Sequence, residues 1–135
     1  MREIIKESGR PIRFRAWDKE TKQLLKVNSL TLDFGLCDLW NGKPEDEGVA
    51  RKLSDVNLMQ YTGLKDKNGV MIFEGDVVMF PNLGYDPSNG DDPMLIEQVR
   101  ENDGAFSLNS YLLREIETED REVIGDIYQH PELLK

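Results

Sequence analysis

Glu74 and Asp76 flank Gly75 between two short apolar runs, a spacing that could seat a general acid beside a general base. Glycine between acids is also ordinary turn chemistry, in which the carboxylates cap backbone amides or meet water, and this reading is preferred. A carboxylate-based hydrolase built on this pair, with Mg²⁺, ranks as the less favoured alternative. His130 is the only histidine and precedes Pro131. A His–carboxylate or Ser–His arrangement would need a partner delivered by folding, so His130 reads as a surface or capping residue. Cys37 lies among Leu36, Leu39 and Trp40 with no cation close in sequence to lower its pKa, and reads as a buried, inert thiol. One cysteine and one histidine cannot build a zinc site in a single chain. The loop Asp86-Pro87-Ser88-Asn89-Gly90-Asp91-Asp92 invites a calcium reading, but setting Gly90 at the sixth position of an EF-hand puts Tyr85 first and Ile96 twelfth, where oxygen ligands are needed. Neither GxxxxGK[ST] nor GxGxxG occurs. The expectation is a chain that is not an enzyme, with no catalytic residue, no metal and no cofactor.

The residues left with a binding role are basic and aromatic. Arg13, Arg15 and Trp17 alternate along one segment and form the candidate interface. Against this stands the plainer reading that the two arginines are the solvent side of a half-buried strand. Trp17 and Trp40 are the largest apolar side chains, core residues by default and interface anchors if half-exposed.

The elements that must position these residues are short. Ile12 to Trp17 has period two, placing Ile12, Phe14 and Ala16 on one face of a strand. Asp18 to Lys22 is turn-like, and Gln23 to Phe34 resumes as a strand with Leu30, Leu32 and Phe34 on one face, so the two make a hairpin. Asn41-Gly42 and Asn68-Gly69 supply positive φ angles for tight turns. Lys43 to Lys52 carries Pro44, Gly48 and three consecutive acids and reads as a loop, as does Asn82 to Pro93. Between and after them, Val70–Phe73, Val77–Phe80, Met94–Arg100, Ala105–Leu108 and Val123–Tyr128 read as strands, with Gly125 marking a bulge or a close backbone approach. Tyr111 to Ile116 fits a single helical turn or a strand, and Pro131 begins a short terminal turn. Short runs punctuated by Gly, Pro and Asn mean a mainly β protein, with a small barrel as the expected form.

A chain of 135 residues suits one domain or two small ones, divided here as an N-terminal β-hairpin region over 1–57 and a C-terminal region over 58–135. Net charge is −9, unevenly placed: residues 1–30 carry +4 and residues 31–135 carry −13. An acidic surface disfavours nonspecific nucleic-acid binding, although the basic start could hold one anionic partner. No apolar run approaches the ~18 residues of a membrane helix, and the N-terminus lacks the apolar centre of a signal peptide. The expected location is the cytoplasm.

Three blocks carry a family resemblance. They are Ile12-Arg13-Phe14-Arg15-Ala16-Trp17-Asp18, then Leu58 to Gly69 followed by Ile72-Phe73-Glu74-Gly75-Asp76-Val77-Val78, then Glu122 to Leu134 (EVIGDIYQHPELL). In that order the chain resembles the YopX family, small proteins of bacteriophages and prophages. The match runs from near residue 10 to the C-terminus, with the variable stretches in the two long loops; the extension before the first block departs from the family's usual start. The resemblance implies a mainly β chain whose C-terminal part is an SH3-like barrel, and it attaches no catalytic residue to these motifs. The functional expectation is a noncatalytic protein-binding accessory protein in a bacterial host, its partner a host or phage protein. The alternative is a nucleic-acid-binding or regulatory protein that uses the basic N-terminal strip. Self-association into a homo-oligomer through sheet edges is a further expectation.

Overall fold

The alternation of Phe14, Ala16 and Asp18 against Arg15 and Trp17 builds a strand whose even residues face inward: Ala16 and Asp18 are fully buried. In the computed structural model, which describes residues 4–5 and 11–134, the chain is mainly β and divides into two units at Tyr61/Thr62. Arg2, Lys6 and Arg10 of the basic start lie outside the described residues.

The first unit opens with a short pair, β1 (Ile4–Ile5) and β2 (Pro11–Ile12), joined antiparallel. Its main sheet is antiparallel and comprises β3 (Phe14–Asp18), β4 (Gln23–Thr31), β5 (Leu36–Trp40), β6 (Val49–Lys52) and the first part of β7 (Val56–Lys65), in the order β6-β5-β4-β3-β7. The expected hairpin of β3 and β4 turns through Asp18–Lys22, with Lys22 at φ +58°. The core is Ala16, Leu25, Val27, Cys37, Leu39 and Val56. Two sequence expectations change here. The strand expected to run to Phe34 stops at Thr31, because Gly35 at φ +64° returns its N–H to the Leu32 carbonyl and closes a 3₁₀ turn over Leu32–Phe34. Leu32 and Phe34 are therefore exposed rather than alternating into a core. The expected loop over 43–52 is shorter, because Val49–Lys52 pairs with Leu36–Leu39 as an edge strand.

In the second unit the end of β7 pairs with β8 (Met71–Phe73). A three-stranded antiparallel sheet follows the order β10-β9-β13, from β9 (Asp76–Pro81), β10 (Met94–Gln98) and β13 (Glu122–Asp126). A hairpin joins β11 (Arg100–Asn102) to β12 (Ala105–Ser107) through Asp103 and Gly104, both at positive φ. Its core is Ile72, Val78, Phe80, Val99, Leu108, Leu113 and Ile116, with Tyr111 edge-on to Phe80. The segment 111–116 resolves as a 3₁₀ turn over Leu113–Glu115, and another closes the chain at Pro131–Leu134. Gly125 meets both expectations: the β13 register shifts between Val123 and Gly125, and a Cβ there would lie 2.7 Å from Leu133 Cδ1 and 2.8 Å from His130 Nδ1. The barrel stands as an expectation of the resemblance; the pairings above are the sheets themselves.

Candidate functional site

Register partners in a sheet share a face. Arg15 pairs with Lys26 on β4 and with Met59 on β7, and Lys26 pairs in turn with Trp40 on β5. One row across four strands is therefore Met59, Arg15, Lys26, Trp40. The next row sets Trp17 beside Leu24 and Asn57. The expected interface residues Arg13, Arg15 and Trp17 lie together on this face, each half-buried and none without a partner. Toward β7 the face closes over buried Met59, while Lys26 is exposed.

Trp40 and Lys26, which sequence reasoning did not join to the trio, complete it. Lys26 Nζ stands 6.0 Å from the Trp40 ring centre, within cation–π reach. Its stem lies along the turn at Gly42 (φ +93°), where a Cβ would come within 3.2 Å of Lys26 Cε. The indole Nε1–H donates to the carbonyls of Lys43 (2.9 Å) and Asp46 (3.1 Å), and Asn41 Nδ2 donates to Asp46 Oδ2 (2.6 Å). The loop after β5 is thus folded against the tryptophan. The alternation of β3 was legible; the pairing that adds Lys26 and Trp40 depends on register, which the turn between β3 and β4 sets.

A recess of about 280 Å³ is lined by Asp18, Leu25 and Leu39 from the opposite face and also by Trp40. Asp18, fully buried, lies on its lining. Arg51 Nε donates to both carboxylate oxygens (3.1 and 3.2 Å), Thr21 Oγ1 to Oδ2 (2.7 Å) and the Glu20 N–H to Oδ1 (3.2 Å). Burial alone would push this carboxyl up; the donors from Thr21, Arg51 and Glu20 outweigh it and hold Asp18 below the ordinary carboxylate range. Cys37, nearby on β5, is buried with its thiol pushed up by burial and by Asp38, the reverse of a nucleophile's setting.

In the second unit the acids serve turns. Asp66 Oδ1 accepts from the N–H groups of Asn68 and Val70, and Oδ2 accepts from Val123, each at 2.9 Å. Asp76 Oδ2 accepts from the Phe73 N–H (2.8 Å), so it caps its own turn; Glu74, across Gly75 at φ +90°, is only half-buried. Asp126, the register partner of Asp76, accepts from Tyr128 N, Gln129 N and Gln129 Nε2. Arg121, buried, donates to the carbonyls of Lys65 (2.8 Å) and Ile116 (2.6 Å) and to Thr118 Oγ1. His130 Nδ1 accepts from the Asp126 N–H at 3.3 Å, which ties the residue before the terminal turn back to the end of β13. In the loop after β9, Asp86 caps Ser88 and Asp91 accepts from the Asp86 N–H. Among the described residues no three His, Cys, Asp or Glu side chains form a group able to hold a metal ion, and no helix is long and apolar enough to cross a membrane. Sequence reasoning missed Asp18, Asp66 and Asp126 as backbone anchors, although each immediately precedes or opens a polar turn, the position where an aspartate oxygen reaches amides two residues on.

Each resemblance block contains at least one of these buried aspartates: Asp18 in the first, Asp66 and Asp76 in the second, Asp126 in the third. The crystal structure of protein EF1440 from Enterococcus faecalis is similar, at 28% identity and a TM-score of 0.65, covering 92% of this chain and 98% of that one. No curated protein matches. A family model described as "YopX protein" matches residues 13–135, a span that begins at Arg13 and takes in all four buried aspartates. By that match, the chain belongs to the YopX family.

Proposed function

We propose that this protein is a noncatalytic protein-binding module, a phage- or prophage-encoded accessory protein acting in the bacterial cytoplasm on a host or phage protein. The observation that carries the reading is the basic and aromatic face of the first unit, where Arg13, Arg15 and Lys26 share one side of the sheet with Trp17 and Trp40. Arginine and tryptophan are the side chains that most often anchor protein interfaces. On a chain of net charge −9, a local cluster of cations favours an acidic patch on the partner. Family membership supports the phage setting. The test is affinity capture of the tagged full chain from phage-infected cells, beside the variants Lys26→Glu and Arg13→Glu/Arg15→Glu, with a thermal melt of each. Lys26→Glu changes an exposed side chain, and its loss of a partner held by the wild type supports the reading. Retention of every specific partner by both folded variants overturns it.

The same face supports a second reading, nucleic-acid binding, since tryptophan stacks on bases and arginine pairs with phosphate. Direct titration with single- and double-stranded DNA and RNA at low salt decides it.

A further inference from the structure

In the second unit the sheet β10-β9-β13 leaves one side of β10 unpaired. The β9–β10 ladder is bracketed by the bonds from Asn82 N–H to the Pro93 carbonyl (2.9 Å) and from Val99 N–H to the Asp76 carbonyl (2.8 Å), and the register between them is unbroken. Antiparallel bonding alternates, so Leu95 and Glu97 turn their backbone groups to β9. The N–H and C=O groups of Met94, Ile96 and Gln98 point the other way, and among the described residues none bonds them. Side chains alternate as well. Leu95 packs on the core and Glu97 is buried, its carboxylate accepting from Ser110 N and Oγ (both 3.2 Å), whereas Met94 and Ile96 are exposed.

An open apolar edge invites pairing, and the other edges among the described strands are guarded. β6 ends in Arg51 and Lys52; β13 is broken by its register shift and bounded by Glu122 and Asp126; β1, β2, β8, β11 and β12 are two or three residues long. β10 has five residues, and its single charge points inward. Two exposed charges flank it at equal spacing from Ile96: Asp92 four residues before and Arg100 four residues after, neither with a side-chain partner among the described residues. The acids beyond them are engaged in their own turns, Asp91 accepting from the Asp86 N–H and Glu101 from the Gly104 N–H.

We propose that β10 is a homodimerisation edge: two copies of this chain join their β10 strands antiparallel about a two-fold axis through Ile96, making one continuous sheet of the two. In that register Ile96 opposes the partner's Ile96, and Met94 and Gln98 oppose the partner's Gln98 and Met94, so every open N–H and C=O of the edge meets its complement. Leu95 opposes the partner's Glu97, and no like charges face each other within the strand. Each Arg100 comes to the end where the partner's Asp92 stands. Any strand could match the backbone groups; a second copy also matches the flanking charges. The seam lies in the second unit and does not depend on what the basic face of the first unit binds.

The test is sedimentation of the full chain over a range of concentrations, beside variants whose thermal melts confirm folding. A monomer–dimer equilibrium with a Kd of about 100 µM is expected, the weak association of a seam smaller than a standard interface. Ile96→Lys sets two ammonium groups together at the axis and is expected to weaken the dimer at least about tenfold. Arg100→Asp is expected to weaken it about fivefold, through two exposed ion pairs, and Asp92→Arg/Arg100→Asp to restore it. Register is read by mild oxidation: Ile96→Cys, about 5.5 Å from its own copy, is expected to form a covalent dimer, and Met94→Cys, about 14 Å from its own copy, is not. A chain that stays monomeric up to about ten times that Kd overturns the proposal. So does a dimer left unchanged by folded Ile96→Lys and Arg100→Asp, or Met94→Cys cross-linking as readily as Ile96→Cys.

Discussion

Asp66 joins two segments of the chain with one carboxylate. Burial works against its charge, but the N–H groups of Val123, Val70 and Asn68 outweigh it and hold the carboxyl below its ordinary range. Asp66→Ala would leave three backbone amides without their acceptor, and chemical denaturation is expected to show a loss of about 3 kcal/mol or more. Asp66→Asn keeps an acceptor oxygen and should lose less. The pH dependence follows from the same depression. A carboxyl that is more acidic folded than unfolded contributes stability at any pH above about 3.9, and that contribution is lost as pH falls through the lower folded value. Asp18 behaves in the same sense. Stability from these two groups should be level from neutral pH to about pH 5 and then fall on acidification. Urea midpoints across that range should show a shallower acid decline in Asp66→Asn than in wild type; equal declines would remove Asp66 from the account.

At the scale of elements, β13 carries a bend that the terminal turn needs. Gly125 leaves room for Leu133 and His130, and Gly125→Ala would place a Cβ inside contact distance of both. The expected cost is about 1–3 kcal/mol, read as a lowered melting temperature, together with loss of amide exchange protection over 130–134. Unchanged protection there would mean that the turn is held elsewhere. Gly125 was legible because a glycine inside a β-branched run weakens the strand and persists where the backbone must bend or a neighbour must come close. The mainly β class and the β3–β4 hairpin were legible from strict alternation around a polar turn. The end of β4 was not: Leu30, Leu32 and Phe34 continue the alternation, and only the left-handed Gly35 breaks it. Strand β6 was hidden because an exposed four-residue edge strand has little apolar pattern, and its neighbours Pro44 and Gly48 are loop residues. In the candidate site, alternation brought Arg13, Arg15 and Trp17 to one face; Lys26, Trp40 and the recess arise from cross-strand register, which no local pattern encodes.

For the whole molecule, the distribution of charge separates the two binding readings. A nucleic acid held through Arg13, Arg15 and Lys26 would release about three counterions and lose affinity roughly fortyfold between 50 and 200 mM salt. A protein partner docked through the same cations and the two tryptophans is expected to lose less than about tenfold over that range, since buried apolar contact is insensitive to screening. Fluorescence anisotropy or calorimetry across the salt series measures the slope directly. The two cores have a separate, optical consequence. Trp17 and Trp40 are the protein's two tryptophans, and both stand before the division at Tyr61/Thr62. Indole emission is therefore a spectroscopic window on the first unit, while far-ultraviolet ellipticity samples strands of both, so a melt followed by both signals distinguishes the unit in which a lesion acts without any label.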